Sequence, residues 1–165
     1  MDSVLLLDEA ILWVHLFCAV LFVGGSFFMW LVVLPASHLF GKDESERTQL
    51  VGKIAKQFGR ITNPVLGILV LTGIYNASWY LPNMNALFNS TGGQILLAKM
   101  TLVIALIVMV YANNLYFGRR TVRLAREKKI DELTALRKKS RLASFANLAL
   151  MIVILVLAVL LQIPP

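Results

Sequence analysis

Hydrophobic residues in this sequence collect into four long runs that are almost free of charge. The first extends from Ala10 to Leu34 and closes on Pro35. The second runs from Thr62 to Tyr80 with Pro64 in its opening turn, where a missing N–H costs least. The third covers Gln94 to Tyr116, and the fourth Leu142 to Ile163, ahead of Pro164 and Pro165. A hydrocarbon core of about 30 Å is crossed by about 20 apolar residues in helical form, and each run is long enough. No water in that core can satisfy free backbone groups, so the runs are predicted to be α-helices. The pattern therefore predicts an all-α integral membrane protein, one four-helix transmembrane bundle occupying residues 1–165.

The polar intervals set a direction. Gly41 to Arg60 carries Lys42, Arg47, Lys53, Lys56 and Arg60, and Phe117 to Arg141 carries ten basic residues, whereas Leu81 to Gly93 carries no charge of either sign. By the positive-inside rule the two basic segments are expected in the cytoplasm, with the central loop and both termini on the outer side. Ser45 to Gly59 and Arg119 to Lys139 contain few helix breakers, and Leu124, Ile130, Leu133 and Leu136 recur at helical intervals, so both segments are expected to extend the spans as helices.

Composition sharpens this picture. The chain is 58% hydrophobic and only 15% charged, against about a quarter charged in soluble domains. Its net charge of +7 is concentrated beside apolar runs, which fits anchoring at a bilayer surface and argues against nucleic acid as a partner. No Lys or Arg precedes the first run, only Asp2, Asp8 and Glu9, so that run is expected to stay rather than be cleaved as a signal peptide. The lone Cys18 has no disulfide partner. Asn89-Ser90-Thr91 is a formal glycosylation sequon.

Ionisable groups inside spans are costly, about 2.5–3.5 kcal/mol for a central lysine, and so point to function. His15 lies about five residues into the first span and Lys99 about five into the third, both counted from the outer end, which puts each about 7–8 Å below the interface. Tyr75 and Asn76 of the second span reach the same depth. These four residues define a candidate outward-facing polar pocket. Against it stand plainer roles: Lys99 can snorkel to headgroups, and His15 can hydrogen-bond a neighbouring helix. His38, past Pro35, is expected to be interfacial. Arg60, Asn63, Asn113, Asn114 and Asn147 form a second polar layer that is expected to tie helices together, and Gly24, Gly25 and Ser26 are expected to let a helix approach closely.

A neutral imidazole suits haem iron or copper. Leu12, Cys18, Ala19 and Phe22 share its helical face, offering a haem small residues and an aromatic wall, while Cys18 offers copper(I) a soft sulfur beside His15. The methionines are scattered, no carboxylate is buried in a span, and no phosphate-binding loop, nucleophile motif or zinc signature occurs.

Trp13-Val14-His15 with Phe22-Val23-Gly24-Gly25, Arg60-Ile61-Thr62-Asn63-Pro64 with Leu71-Thr72-Gly73-Ile74, and Gly92-Gly93 with Leu97-Ala98-Lys99 together resemble the superfamily of four-helix membrane proteins that includes HemJ-type protoporphyrinogen oxidases and CopD-type copper resistance proteins. The HemJ side of the resemblance implies b-type haem, a functional His15–Lys99 pair and six-electron oxidation of protoporphyrinogen IX coupled to a membrane electron-transfer partner. Departures from the HemJ pattern are Gln94-Ile95-Leu96-Leu97, where further histidines are usual, and Ser144-Phe145-Ala146-Asn147, where a proline motif opens the fourth span. Three functions follow as expectations: haem b at His15 and Lys99, flanked by Tyr75 and Asn76; copper at His15 and Cys18; or a structural subunit without cofactor. A homodimer is compatible with each.

Overall fold

The computed structural model describes residues 3–40, 43–78, 84–127 and 129–161. The ends of two predicted spans (Trp79, Tyr80, Gln162 and Ile163), together with Asp2, Lys42, Lys128, Pro164, Pro165 and part of the central loop, lie outside the described residues. Four helices are long and apolar enough to cross a membrane: Val4–Leu39, Ser45–Ser78, Thr91–Arg126 and Ile130–Leu160. In finer detail the order is α1 (Ser3–Phe28), a π-helical turn (Met29–Val33), α2 (Leu34–Phe40), α3 (Glu44–Ser78), α4 (Met84–Asn89), α5 (Thr91–Asn113), a second π-helical turn (Asn114–Gly118), α6 (Arg119–Arg126) and α7 (Ile130–Leu160).

The helices outrun the apolar pattern, for identifiable reasons. Pro35 does not close the first span. A proline cannot donate to the turn before it, and here the Leu34 N–H reaches back five residues to the Met29 carbonyl, a widened turn that lets the helix continue to Phe40. Nor does Pro64 open the second span, because it sits inside α3, which begins at Glu44. The expected helical extensions form, with α6 ending at Arg126 and α7 beginning at Ile130. In the neutral loop, α4 leads to Ser90, whose hydroxyl accepts from the Gly93 N–H and caps α5. That gives the middle residue of the sequon a structural duty.

α1 packs antiparallel to α3, and α5 to α7. Phe22, Leu66, Leu106, Leu148 and Met151 form the central core, so every spanning helix contributes to it. Elsewhere the spans face outward with apolar groups, among them Trp13 at 72% and Leu71 at 69% exposure, as a lipid environment requires. At the neutral end Ala77, Leu87 and Leu96 make a smaller cluster.

The basic end carries its own core. Leu124 and Ala125 of α6 pack on Leu133 and Leu136 of α7, with Phe117 against them. The first part of α3 docks on this hairpin: the Ser45 hydroxyl donates to the Ala125 carbonyl at 2.5 Å, and Gly52 lies under Val122. A Cβ on Gly52 would sit 2.8 Å from the Val122 methyl. Gly52→Val is therefore expected to destabilise the protein by about 1–3 kcal/mol through overpacking. Thermal unfolding in detergent should show a lower midpoint, while Gly24→Ala, which meets nothing within 4 Å, should not shift it.

The second polar layer ties helices only in part. The Asn113 amide donates to the Ser144 hydroxyl at 3.4 Å, linking α5 to α7, and Trp30 lies against Phe145 with ring centroids 6.0 Å apart. Arg60 instead bonds Gln57 on its own helix. Of the small residues, Gly25 takes the ring of Phe58, whereas Gly24 faces open space. His38 is paired with Arg47 across the α2–α3 connection.

Candidate functional site

The contacts of α7 fix a common level for the first and third spans. Adjacent residues Ser144 and Phe145 touch Asn113 and Trp30 respectively. From there to the neutral end, His15 is fifteen residues above Trp30 and Lys99 fourteen above Asn113, or about 22 and 21 Å at 1.5 Å per residue. The two ionisable side chains thus stand at one depth. Both are partly buried, and they lie within electrostatic range of each other.

His15 is seated on α3. Its Nδ1 lies 2.8 Å from the Thr72 hydroxyl. That hydroxyl donates its own proton to the Ile68 carbonyl at 2.8 Å, with the Leu69 carbonyl at 3.2 Å. A hydroxyl has one proton to give, so with that proton on the Ile68 carbonyl Thr72 would accept from an imidazole protonated on Nδ1. In that tautomer Nε2 keeps its lone pair. Gly73 completes the seat: a Cβ there would stand 3.2 Å from His15 Cε1, tighter than ordinary contact, and its absence lets the ring lie against the helix backbone.

Above the imidazole lies a second pair. The Tyr75 hydroxyl donates to Asp8 Oδ1 at 2.8 Å, and Asp8 Oδ2 is buried with no hydrogen-bond partner. Asp8 and His15 are seven residues apart on α1, which returns nearly to the same face about 10 Å higher. The Tyr75 phenol reaches along α3 to span that gap. Sequence reasoning missed Asp8, treating it as a charge ahead of the span; its heptad spacing from His15 was the available signal.

The other predicted residues are placed as follows. Cys18 is buried at 5% exposure and carries a free thiol one helical turn below His15. Asn76 is half-buried and has no side-chain hydrogen bond among the described residues. Tyr75 faces Asp8 rather than His15. No group of three or more His, Cys, Asp or Glu side chains gathers into a metal cluster among the described residues.

A membrane bundle of four helices, with a partly buried histidine hydrogen-bonded between two of them near its uncharged end, defines the class. Within that class, the family model for copper resistance protein D, CopD, matches residues 52–161, about two thirds of the chain, and the chain belongs to that family. The match takes in Thr72, Gly73, Tyr75, Asn76 and Lys99 and begins after α1, so His15 and Cys18 lie outside it. No curated protein matches the chain, and no solved structure does.

Proposed function

We propose that this CopD-family protein handles copper, taking up copper(I) at the neutral end of the bundle through His15 Nε2 and the Cys18 sulfur. The His15 seat carries the reading: Nδ1–H is held by Thr72, and the free Nε2 is the atom that binds a metal. The family match supports copper over haem, which nothing in the comparisons favours. Thiolate sulfur selects copper(I) among common metals, and binding would release the Cys18 proton. A Lys99 ammonium at this level offsets a Cys18 thiolate and opposes a second cation, so each chain holds one ion.

By the positive-inside rule the basic segments put α6 and the first half of α3 in the cytoplasm and His15 toward the outside. Asp8, with an unpaired carboxylate oxygen two turns of α1 above His15, attracts the arriving cation. Copper is cargo in this reading, bound near the outer surface and released toward the inside.

The test is titration of the detergent-purified, reduced protein with copper(I) against a competing chelator. One tightly held ion per chain is expected, and a protein that leaves all copper with the chelator overturns the proposal. Asp8→Asn keeps an oxygen for Tyr75 and removes the charge. It is expected to slow copper uptake severalfold at low ionic strength, with the difference closing as salt screens the field.

A further inference from the structure

At the other end of the bundle, where α7 leaves the membrane, a shallow groove of ≈ 360 Å³ is lined by Trp30, Lys138, Arg141, Leu142 and Phe145. The four α7 residues follow one another at i, i+3, i+4 and i+7, a single helical face. Their order changes from cationic to apolar in one step: Lys138 and Arg141 on the basic side, Leu142 and Phe145 on the membrane side. Trp30, tilted against Phe145, forms the opposite wall from the π-helical turn of the first span. Tryptophan is a residue of membrane–water interfaces, and the groove therefore straddles the headgroup level.

No acidic residue lines the groove, and neither Lys138 nor Arg141 has a carboxylate within salt-bridge distance among the described residues. Lys138 also borders a second hollow on the aqueous side, with Asp131, Thr134, Ala135 and Lys139. On the membrane side the surface is open and apolar, Leu142 being 71% and Phe145 56% exposed. Two unneutralised cations above an apolar, aromatic strip match a molecule with an anionic head and a hydrocarbon tail. Basic pockets beside transmembrane helices take anionic lipid headgroups for this reason.

We infer that the groove is a binding site for an anionic phospholipid of the leaflet facing the basic end, its phosphate held between Lys138 and Arg141 and its acyl chain lying along Leu142, Phe145 and Trp30. Lys138 and Arg141 stand one turn apart, about 4.5 Å along the axis. That spacing lets both reach one phosphate. The arginine can bond two of its oxygens at once. The lipid clamps the π-helical turn of the first span to the start of the fourth, beside the contact of Trp30 with Phe145. This site is independent of the copper reading, since none of its residues approaches His15 or Cys18.

Native mass spectrometry of the full chain, delipidated in detergent and titrated with phosphatidylglycerol or phosphatidylcholine of identical chains, tests the inference. Phosphatidylglycerol is expected to be retained at least about fivefold better. Lys138→Gln with Arg141→Gln should abolish that preference, whereas Arg119→Gln with Arg126→Gln, which removes the same charge from α6, should leave it intact. Equal retention of the two lipids by the unaltered chain overturns the site. So does an equal loss in the α6 variant, which would mean general attraction to a basic surface. The lipid comparison on the unaltered chain stands even if a variant fails to fold.

Discussion

His15→Ala is expected to weaken copper(I) binding by about a hundredfold or more, near 3 kcal/mol, leaving Cys18 as a solitary sulfur ligand. Removing the ring also breaks the bond to Thr72, but a single hydrogen bond contributes only about 1 kcal/mol to folding. The variant should therefore remain folded and lose its metal. The seat offers a direct control. With the imidazole gone, the space against Gly73 and the Thr72 hydroxyl remain, so added free imidazole should restore part of the binding. Copper affinity unchanged by His15→Ala would remove the histidine from the site and with it the basis of the copper reading.

Thr72→Val is the second large effect, and it tests how His15 is used rather than whether. Valine has the shape of threonine and cannot accept a hydrogen bond, so the Nδ1 proton loses its partner. Groups that orient a metal-binding histidine typically account for about 10–100-fold in affinity, and a loss in that range is expected, with Thr72→Ser close to the unaltered protein. Nitrogen NMR of histidine-labelled protein reads the cause. The metal-free protein should show the Nδ1–H tautomer at His15, and Thr72→Val a mixture. A native His15 protonated on Nε2 would contradict the arrangement outright.

Sequence periodicity reached the four helices because burying an uncharged run of this length leaves few other options. Beyond the apolar runs a second pattern, the scarcity of breakers in Ser45 to Gly59 and Arg119 to Lys139 with Leu124, Ile130, Leu133 and Leu136 at helical intervals, predicted the extensions that form. The apolar signal stops where lipid stops, yet α3 and α7 continue through Lys53, Arg60 and Lys138, charged residues that are good helix formers and that have a core of their own to pack on. Pro35 and Pro64 read as boundaries because a proline breaks a backbone bond; in the structure the first is absorbed by a π-helical turn and the second lies within a long helix.

The candidate site was partly legible. His15 and Lys99 stood out by the cost of placing them in a membrane, and one depth rule joined them. Thr72 and Gly73 were quoted only as a motif, since nothing in a linear sequence shows that one would accept the His15 proton and the other make room for its ring. Tyr75 was placed by depth, but its partner turned out to be Asp8: a phenol can extend about 6 Å along its helix, and a count of residues takes no account of side-chain reach.

The two π-helical turns have a consequence for reading helix faces along the first and third spans. Each lies where a span meets the basic end, Met29–Val33 in one and Asn114–Gly118 in the other. A turn closed over five residues holds one more residue than the α-helix around it, and each residue advances the helix by about 100°. The stripe above and the stripe below are accordingly out of phase by that angle. The bundle thus consists of two registers coupled by a phase shift: one set by the lipid, the other by the small soluble core at the basic end.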